Sequence, residues 1–330
     1  MLGLFLKNPR KIELRELTSS SFLKDDEVKI KVIYGGICGS DISVYKGSLA
    51  HATYPLHPGH ELVGEVIETG KDAAEMLGKR VVVAPNSFCG ECEYCLKGKP
   101  NICSHKKSLG VNSDGGFLQE FTISAKYVIE VPDELSNEKA VIIEPFAVIV
   151  HALQKVDISE KTSVAVIGCG TEGMLAITLA DYLGAQITAI DINENKFKKV
   201  QMVGNIQTAR PDEVSGHLFD VVIEAAGARA SVEQAIELVK PGGALVMVGM
   251  TAEATFPVLQ IVRKELTLYG SIIYNFPQDF EKSINYLLDD HFKVDAIIEK
   301  ICDLKDYEQA YEDAVSGQFG KIIINFKEET

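Results

Sequence analysis

The sequence predicts an α/β protein that combines a β-rich first part with a doubly wound parallel sheet. Before about residue 150, short β-rich runs alternate with Gly, Pro and Asn, whereas after Lys161 apolar strands alternate with helices. Such alternation is typical of a parallel sheet covered by helices on both faces. A glycine-rich turn at the first strand–helix junction of this second part supports the same fold class.

The first part is predicted to consist of short strands rich in β-branched residues. The runs that have this composition and are bounded by turn residues are Val28–Ile33, Leu62–Glu68, Arg80–Val83, Phe117–Ile123 and Tyr127–Val131.

The second part is predicted to alternate strands with helices. The predicted strands are Ser163–Ile167, Gln186–Ile190, Phe219–Glu224, Ala244–Val248 and Leu266–Gly270, and the predicted helices are Met174–Leu183, Asn193–Val203, Ser231–Val239 and Asp279–Leu288. A helix over Asp306–Val315 and a strand over Lys321–Phe326 are expected to return to the first part. We therefore predict one domain from residues 1–150 and 290–330, and a second domain from residues 151–289.

Composition limits the classes of partner. The chain has 330 residues, of which 46% are hydrophobic, and a net charge of −14. Without a basic cluster, a nucleic-acid or anionic-membrane partner is not expected, and no apolar run is long enough to cross a bilayer. Seven cysteines, an odd number, suit the reducing cytoplasm better than secretion.

Four cysteines are concentrated in one loop. Cys89, Cys92 and Cys95 recur at every third position, and Cys103 follows eight residues later, among turn formers and charged residues. Four thiolates at this spacing are typical of a closed, structural zinc site. The alternatives for the same spacing are a pair of disulfides or scattered free thiols.

The glycine-rich turn predicts a dinucleotide site. Gly168, Gly170 and Gly173 follow the strand Ser163–Ile167 and open a helix, so that the backbone and the helix N-terminus can receive a pyrophosphate. Asp191 ends the next strand, where its carboxylate can bind the adenosine ribose hydroxyls and repel a 2′-phosphate. The prediction is NAD in preference to NADP. Further predicted cofactor contacts are Thr171, Glu172 and Val248.

A dispersed set of residues could form a second metal site. Cys38 follows a predicted strand, His60 and Glu61 precede another, and Glu144 lies in an apolar stretch. A thiolate, an imidazole and one or two carboxylates make a zinc site with an open position. Each residue also has an ordinary structural explanation, and spacing alone does not decide between the two.

Several motifs together resemble the zinc-containing medium-chain alcohol dehydrogenases. The motifs occur in the family's order over essentially the whole chain: Gly36–Asp41, Gly59–Gly64 with Gly70, the cysteine-rich loop, Glu144-Pro145, the glycine-rich turn and Asp191. Within that family, Cys38–Asp41 and Glu144-Pro145 resemble the polyol branch, which includes sorbitol and galactitol-phosphate dehydrogenases. Threonine dehydrogenases share much of the pattern.

The resemblance implies a GroES-like catalytic domain, a Rossmann cofactor domain, two zinc ions and NAD. Cys38, His60 and Glu144 would bind the catalytic zinc, and Glu61 would bind it directly or through water. Ser40 would hydrogen-bond the substrate oxygen and begin the proton path. The second, structural zinc would be held by the four cysteines of the loop. The implied reaction is hydride transfer between NAD and a secondary alcohol, and the expected alcohol is a polyol or its phosphate.

Three features depart from the family pattern. Glu172 stands where the family has a branched apolar residue, and the segment 205–219 is shorter than in the family. The family's proton-relay histidine a few residues beyond Cys38 is absent, and His51 is the candidate to replace it. The alternatives are a threonine dehydrogenase-like enzyme and a non-catalytic zinc protein that senses NAD. We also expect a homodimer or homotetramer, assembled through the sheet edge near 244–248 and 266–270.

Overall fold

The computed structural model of the chain describes residues 1–19 and 22–327. The strands are β1 (Leu2–Asn8), β2 (Lys11–Glu16), β3 (Glu27–Ile37), β4 (Glu61–Thr69), β5 (Arg80–Val83), β6 (Glu120–Ser124), β7 (Val128–Glu130), β8 (Ser163–Ile167), β9 (Gln186–Ile190), β10 (Gln207–Ala209), β11 (Phe219–Glu224), β12 (Val239–Met247), β13 (Thr267–Gly270), β14 (Ile298–Asp303) and β15 (Lys321–Asn325). The α-helices are α1 (Gly39–Lys46), α2 (Glu93–Leu96), α3 (Asn137–Ala140), α4 (Ile143–Leu153), α5 (Thr171–Tyr182), α6 (Phe197–Val203), α7 (Arg229–Glu237), α8 (Val258–Lys264), α9 (Gln278–Leu287) and α10 (Tyr307–Ser316). None of these described helices is long and apolar enough to cross a lipid bilayer.

The chain divides into two compact units. The first unit contains Met1–Glu144, Asn275–Ile284 and Ile298–Thr330, and the second contains Pro145–Tyr274 and Asn285–Ile297. The sequence-based domain limits, 1–150 with 290–330 and 151–289, remain predictions beside this division.

The first unit is built on a seven-stranded, mostly antiparallel sheet. The strand order is β14-β15-β3-β4-β5-β7, with β6 also paired to β3. Alternating β-branched residues of β3, such as Val28, Ile30 and Val32, are fully buried and form the core with residues of the neighbouring strands. The hairpin β1–β2 forms a separate two-stranded sheet.

The strand register brings the end of β3 and the beginnings of β4 and β15 to one edge of this sheet. In the antiparallel pair β3–β4, Gly36 lies opposite Glu61, and in the pair β15–β3, Ile322 lies opposite Ile37. The end of β3 therefore meets the beginnings of β4 and β15, although these strands are remote in sequence. A β-carbon at Gly36 would lie 2.1 Å from Glu61 Oε2, so glycine leaves the space that this carboxylate occupies.

The second unit contains a six-stranded parallel sheet. Its order is β10-β9-β8-β11-β12-β13, and every neighbouring pair is parallel. The order reverses between β8 and β11, which makes the carboxyl ends of these strands the switch point where ligands bind in such folds. The strands are continuous apolar runs in the sequence because both of their faces are buried. Examples of such buried residues are Val164, Val166, Val222 and Leu245.

The described structure confirms the fold class and most predicted elements, with specific differences. From the sequence we did not predict the hairpin β1–β2, the four helices α1 to α4 of the first part, the helix α8, or the strands β10 and β14. The predicted strand Phe117–Ile123 begins only at Glu120, because Phe117 donates its N–H to Pro58 instead of to the sheet (2.9 Å). The short segment 205–219 contains the three-residue edge strand β10 and, between β10 and β11, a 3₁₀ turn over Pro211–Val214.

Candidate metal centre and dinucleotide site

The end of β3 and the beginning of β4 bring together the dispersed candidate ligands. One ligand atom from each of Cys38, His60 and Glu61 lies within 4.8 Å of the other two. Cys38 is the N-cap residue of α1, which fixes the direction in which the chain leaves β3. The structure therefore assembles a sulfur, a nitrogen and an oxygen donor from positions that the sequence separates by more than twenty residues.

The loop that presents His60 is held by a second segment of the same unit. The N–H groups of Gly115 and Gly116 donate to the carbonyls of His57 (2.7 Å) and Gly59 (2.9 Å). Asp114 Oδ1 also accepts a hydrogen bond from the His57 N–H (2.9 Å). These bonds fix the backbone immediately before the imidazole.

Asp41 orients the histidine and is itself almost completely buried. Its Oδ2 accepts the Cys38 N–H (3.0 Å), and its Oδ1 accepts the Gly59 N–H (3.1 Å) and lies 3.4 Å from His60 Nδ1. Burial lowers the pKa of the His60 imidazole, but Asp41 and Cys38 together more than offset this effect, so that the net pKa is raised. The other ring nitrogen, Nε2, lies 3.4 Å from Ser40 Oγ.

The Glu61 carboxylate forms a buried ion pair. Lys321 Nζ lies 2.6 Å from both Glu61 oxygens and also donates to the Ile37 carbonyl (3.3 Å). Both side chains are almost inaccessible, at 0% and 1% exposure. Because an unpaired charge would be very costly at this depth, Lys321 allows Glu61 to be ionised beside the other donors.

Two further candidates lie outside this group of donors. Glu144 is buried near the start of α4, but the groups found among the described residues do not include its carboxylate with the other three ligand atoms. His51 lies exposed in a turn, and the described contacts give its ring no hydrogen bond. The roles of Glu144 as a ligand and His51 as a proton relay stay predictions.

The four cysteines of the loop 89–103 form a compact sulfur cluster. All four thiols are free, and the Sγ–Sγ distances are 3.5 Å for Cys89–Cys103, 3.9 Å for Cys92–Cys103 and 4.0 Å for Cys89–Cys95. Four sulfur atoms about 2.3 Å from one tetrahedral zinc would lie about 3.8 Å apart. The geometry fits a zinc ion and contradicts the disulfide alternative.

Backbone groups favour the thiolate form in this cluster. The N–H of Cys92 points at Cys89 Sγ (3.3 Å), and the N–H groups of Cys89 and His105 point at Cys103 Sγ (both 3.3 Å). Hydrogen bonds from the backbone of Glu91 and Cys92 lower the pKa of Cys89 to about 6. Backbone hydrogen bonds from Cys95 and Ser104 also lower the pKa of Cys92, whereas burial raises the pKa of Cys95 to about 12. In the metal-free cluster, Cys89 and Cys92 are therefore the thiols that the backbone prepares to bind a cation.

The two clusters differ in their donor atoms and in whether they can leave a coordination position open. The sulfur cluster supplies four like ligands and can close a tetrahedral shell, as structural zinc sites do. Cys38, His60 and Glu61 supply mixed donors with Ser40 beside them, which fits a zinc site that keeps one position open.

In the second unit, the glycine-rich turn has the shape of a phosphate cradle. Gly168 adopts a φ of +96°, which glycine tolerates, and a β-carbon at Gly173 would lie only 1.7 Å from the Gly168 carbonyl oxygen. A β-carbon at Gly170 would meet no atom within 4 Å, so the backbone there borders open space. The first amides of α5 face the same region, which fits a pyrophosphate.

Asp191 lies directly after β9, at the carboxyl edge of the parallel sheet. Its Oδ2 accepts the Cys169 N–H (2.7 Å), and its Oδ1 accepts the Asn193 N–H (2.8 Å). Lys196 Nζ lies 3.3 Å from the same carboxylate. Asp191 is thus tied to the glycine-rich turn itself.

The remaining predicted cofactor contacts lie at the carboxyl ends of the strands. Thr171 and Glu172 are the first two residues of α5 and are partly buried. Val248 follows β12 directly and donates its N–H to the Glu224 carbonyl (2.9 Å). Their contacts with a cofactor stay predictions.

Sequence reasoning missed three residues that complete these sites. Asp41 stands in the recognised motif, but nothing in its spacing shows that it supports His60. Lys321 opens a predicted strand far from Glu61, and only the strand register reveals the pairing. Lys196 follows Asp191 by five residues and lies in the short 3₁₀ turn Glu194–Lys196 after β9, and no regular spacing signals this pairing.

The sequence matches two family descriptions. Residues 24–133 match the alcohol dehydrogenase GroES-like domain, and residues 173–289 match the zinc-binding dehydrogenase domain.

Three relatives cover nearly the whole chain. Sorbitol dehydrogenase of Halalkalibacterium halodurans is 31% identical, with 90% of this chain and 91% of the relative covered. D-arabitol-phosphate dehydrogenase of Enterococcus avium is 30% identical, with coverage of 92% and 91%. L-threonine 3-dehydrogenase of Coxiella burnetii is also 30% identical, with coverage of 92% and 93%.

Solved structures share the fold. A zinc-binding dehydrogenase from Sinorhizobium meliloti bound to NADP superposes with a TM-score of 0.91 at 26% identity, covering 98% of both chains. Galactitol-1-phosphate dehydrogenase from Escherichia coli superposes with a TM-score of 0.90 at 28% identity, covering 98% of this chain and all of the other (100%).

Proposed function

Because this chain belongs to the zinc-binding alcohol dehydrogenase family and is an NAD-dependent alcohol dehydrogenase, we propose that its substrate is a polyol or a polyol phosphate. The reaction would convert a secondary alcohol into the ketose while NAD accepts the hydride. The observation that supports the chemistry is the gathering of Cys38, His60 and Glu61 into one donor group. The observation that favours this substrate class is that relatives spanning the chain are named for sorbitol and arabitol phosphate.

Cys38 and His60 are proposed to hold the catalytic zinc, with Glu61 binding directly or through water and Glu144 as a further ligand. When bound, zinc supplies Lewis acidity that lowers the pKa of an alcohol oxygen. Ser40 Oγ, 3.4 Å from His60 Nε2, would hydrogen-bond the reacting oxygen and begin the path by which its proton leaves. Cys89, Cys92, Cys95 and Cys103 would hold the structural zinc.

The surrounding residues prepare this centre before a substrate arrives. Asp41 fixes the orientation of the His60 ring, and histidine ligands in metal sites commonly need such a carboxylate partner. Lys321 keeps the Glu61 carboxylate buried and paired. Cys38 is placed by the α1 N-terminus, where its backbone N–H is bonded to Asp41.

In the second unit, Asp191 is proposed to select NAD over NADP. Its carboxylate is fixed beside the glycine-rich turn, where it can accept hydrogen bonds from ribose hydroxyls. A 2′-phosphate at this position would meet a like charge. A higher catalytic efficiency with NADP than with NAD would contradict the proposal.

A substrate screen tests the proposed function directly. Zinc-loaded protein is assayed with NAD against sorbitol, galactitol 1-phosphate, D-arabitol phosphate, L-threonine and simple alcohols. The proposal requires kcat/KM to be highest for a polyol or a polyol phosphate. Highest efficiency with L-threonine would support the second candidate, an amino-alcohol dehydrogenase, which the L-threonine 3-dehydrogenase relative favours.

Zinc content separates an enzyme from a non-catalytic NAD-sensing protein. Two zinc ions per chain, with loss of turnover when the Cys38 site is emptied, are expected of the enzyme. One zinc ion per chain, held by the cysteine loop, with NAD binding but no turnover of any alcohol, would support the sensing protein instead.

We also propose that the chain forms a homodimer or homotetramer through the β13 edge of the second unit. β13 is the last strand of its sheet, and an exposed strand edge can pair with another chain. Val258, Leu259 and Val262 of the neighbouring helix α8 are each about two-thirds exposed, which is unusual for aliphatic side chains in such number. A monomer in light scattering at working concentration would contradict this assembly.

A cytoplasmic location is proposed from the cysteine chemistry. All seven cysteines are free, and the four that are proposed to bind zinc must stay reduced. Cell fractionation tests the location.

A further inference from the structure

Glu224 is a completely buried carboxylate that the proposed reaction does not use. It is the last residue of β11, between β8 and β12 at the switch point of the parallel sheet, and its exposure is 0%. A buried carboxylate is costly unless its oxygens are hydrogen-bonded. The hydrogen bonds that Glu224 makes therefore indicate its role in the structure.

One carboxylate oxygen organises the turn that follows β11. Oε1 accepts the N–H groups of Ala226 (3.0 Å) and Gly227 (2.9 Å), and it lies 2.7 Å from the Ser231 hydroxyl. This hydroxyl shares its one proton between Oε1 and the Ala228 carbonyl, which is also 2.7 Å away. Ser231 lies in the first turn of α7, so one oxygen connects the strand, the turn and the next helix.

The rest of the residue connects this turn to the end of β12. The Glu224 carbonyl accepts the N–H groups of Val248 (2.9 Å) and Gly249 (3.0 Å). A β-carbon at Gly249 would lie 2.5 Å from Glu224 Oε2 and 2.3 Å from the Gly227 nitrogen. The two loops are therefore in direct contact around the carboxylate.

The glycine-rich turn belongs to the same assembly. A β-carbon at Gly168 would lie 2.8 Å from the Ala226 nitrogen, so the phosphate cradle packs directly on the turn that Glu224 holds. Three loops at the carboxyl ends of neighbouring strands thus meet around Glu224: its side chain bonds the first, its backbone carbonyl bonds the second, and the third packs on the first. This edge of a doubly wound sheet is where dinucleotides bind.

The second carboxylate oxygen shows that this arrangement is not optimised for stability. Glu224 Oε2 is inaccessible and has no hydrogen-bond partner among the described residues. An unsatisfied buried oxygen costs free energy, and native proteins retain such groups where another requirement outweighs the cost.

We propose that Glu224 is a positioning residue for dinucleotide binding. It holds the turn 225–228 and the β12 end 248–249 against the glycine-rich turn before the cofactor arrives, so that less ordering is needed on binding. This inference rests on the dinucleotide site of the proposed function and is independent of the alcohol substrate.

The test uses Glu224→Gln in the zinc-loaded protein, with calorimetric titration of ADP-ribose and NADH. Both ligands share the ribose and pyrophosphate, so we expect both dissociation constants to rise by about ten-fold and by the same factor. The KM for NAD should rise with them, whereas kcat at saturating NAD should stay within about two-fold. Ser231→Ala removes one of the three donors to Oε1 and should raise the same constants by about three-fold.

A carboxylate at the opposite end of the same strand provides the matched control. Asp220 accepts hydrogen bonds from Ser163 and Lys240 at the amino edge of the sheet, away from the switch point. Asp220→Asn should lower the melting temperature without changing either dissociation constant.

Unchanged dissociation constants in folded Glu224→Gln, or an equal rise in Asp220→Asn, would overturn the inference. If Glu224→Gln does not fold, Ser231→Ala decides: normal ADP-ribose binding in that variant overturns it. Failure of the substrate proposal would look different, because alcohol turnover would be absent while ADP-ribose binding kept its dependence on Glu224.

Discussion

The two candidate metal centres of the first unit are constructed in opposite ways. The cysteine cluster takes all four ligands from residues 89–103, within a lobe of short helical turns. The mixed centre takes Cys38 from the end of β3 and His60 and Glu61 from the start of β4, and it depends on Lys321 from β15. The first is a local construction and the second is a product of strand register.

This difference separates a metal that would hold structure from a metal that would do chemistry. In the cysteine lobe, residues 93–98 bury little apolar surface, and Leu96 is 75% exposed. Its shape must therefore come from the metal. The mixed centre is built on the packed sheet, whose core is complete without a metal. Loss of metal should consequently unfold the lobe but leave the mixed centre folded and inactive.

The largest expected effect is on activity, at the mixed centre. Cys38→Ala removes the sulfur ligand, and we expect kcat/KM to fall by about 10⁴-fold, equivalent to about 5.5 kcal/mol of transition-state stabilisation. Steady-state kinetics measure the loss, and zinc analysis should show one ion per chain in place of two. The far-ultraviolet circular dichroism should be unchanged. An unfolded Cys38→Ala protein would contradict the claim that the mixed centre stays folded without its metal.

The next effect is on stability, in the cysteine lobe. Cys92→Ala opens the tetrahedral shell and releases the ion, and because metal binding supplies folding free energy we expect the melting temperature to fall by about 10 °C. Calorimetry measures the shift. Cys302→Ala, which removes a buried thiol outside the lobe, is the matched control and should shift the melting temperature by no more than about 3 °C. Equal shifts in the two variants would contradict a structural metal in the lobe.

A slightly smaller effect is expected from the ion pair behind the mixed centre. Lys321→Met leaves the buried Glu61 carboxylate without its partner, and we expect a loss of about 3 kcal/mol in the free energy of unfolding. Denaturant unfolding measures it. The double variant Lys321→Met/Glu61→Gln should regain most of that stability.

An exposed pair provides the control for this measurement. Lys79 and Glu130 are 43% and 54% exposed, and Lys79→Met should cost less than about 1 kcal/mol. If Lys321→Met costs no more than Lys79→Met, the mixed centre does not depend on the tertiary pairing.

The smallest effect is expected from the support of His60. Asp41→Asn keeps the size of the side chain but weakens its interaction with His60 Nδ1, and such partners commonly change metal affinity by about 10- to 100-fold. Competition with a chromogenic chelator measures the zinc affinity of the mixed centre. The cysteine lobe of the same protein is the internal control, and weakening of both sites by the same factor would rule out a specific role for Asp41.

The sequence predicted most of the second unit because its signals are local. The glycine-rich turn, Asp191 and the apolar strands can each be recognised from neighbouring residues, and all lie where expected. The β1–β2 hairpin and the displaced start of β6 could not be predicted in the same way. Phe117 is a residue type that favours strands, yet its N–H donates a hydrogen bond to the Pro58 carbonyl and its ring packs in the core.

The candidate metal ligands show the same difference between local and long-range signals. The local spacing favoured a tetrahedral metal site over disulfides, and the sulfur–sulfur distances agree with that prediction for Cys89, Cys92, Cys95 and Cys103. For Cys38, His60 and Glu61, the resemblance to a known family supplied the grouping that spacing left open, and the strand register explains it physically.

The amino-acid order by itself determined the fold class, the thiolate cluster and the dinucleotide turn, because each depends on interactions within a few residues or on a repeating apolar pattern. Only the tertiary structure decided that Lys321 neutralises Glu61, that Asp41 supports His60 and that Glu224 joins three loops. These contacts arise from antiparallel and parallel strand pairing between distant segments. A register depends on the packing of whole strands, so no short stretch of sequence specifies it.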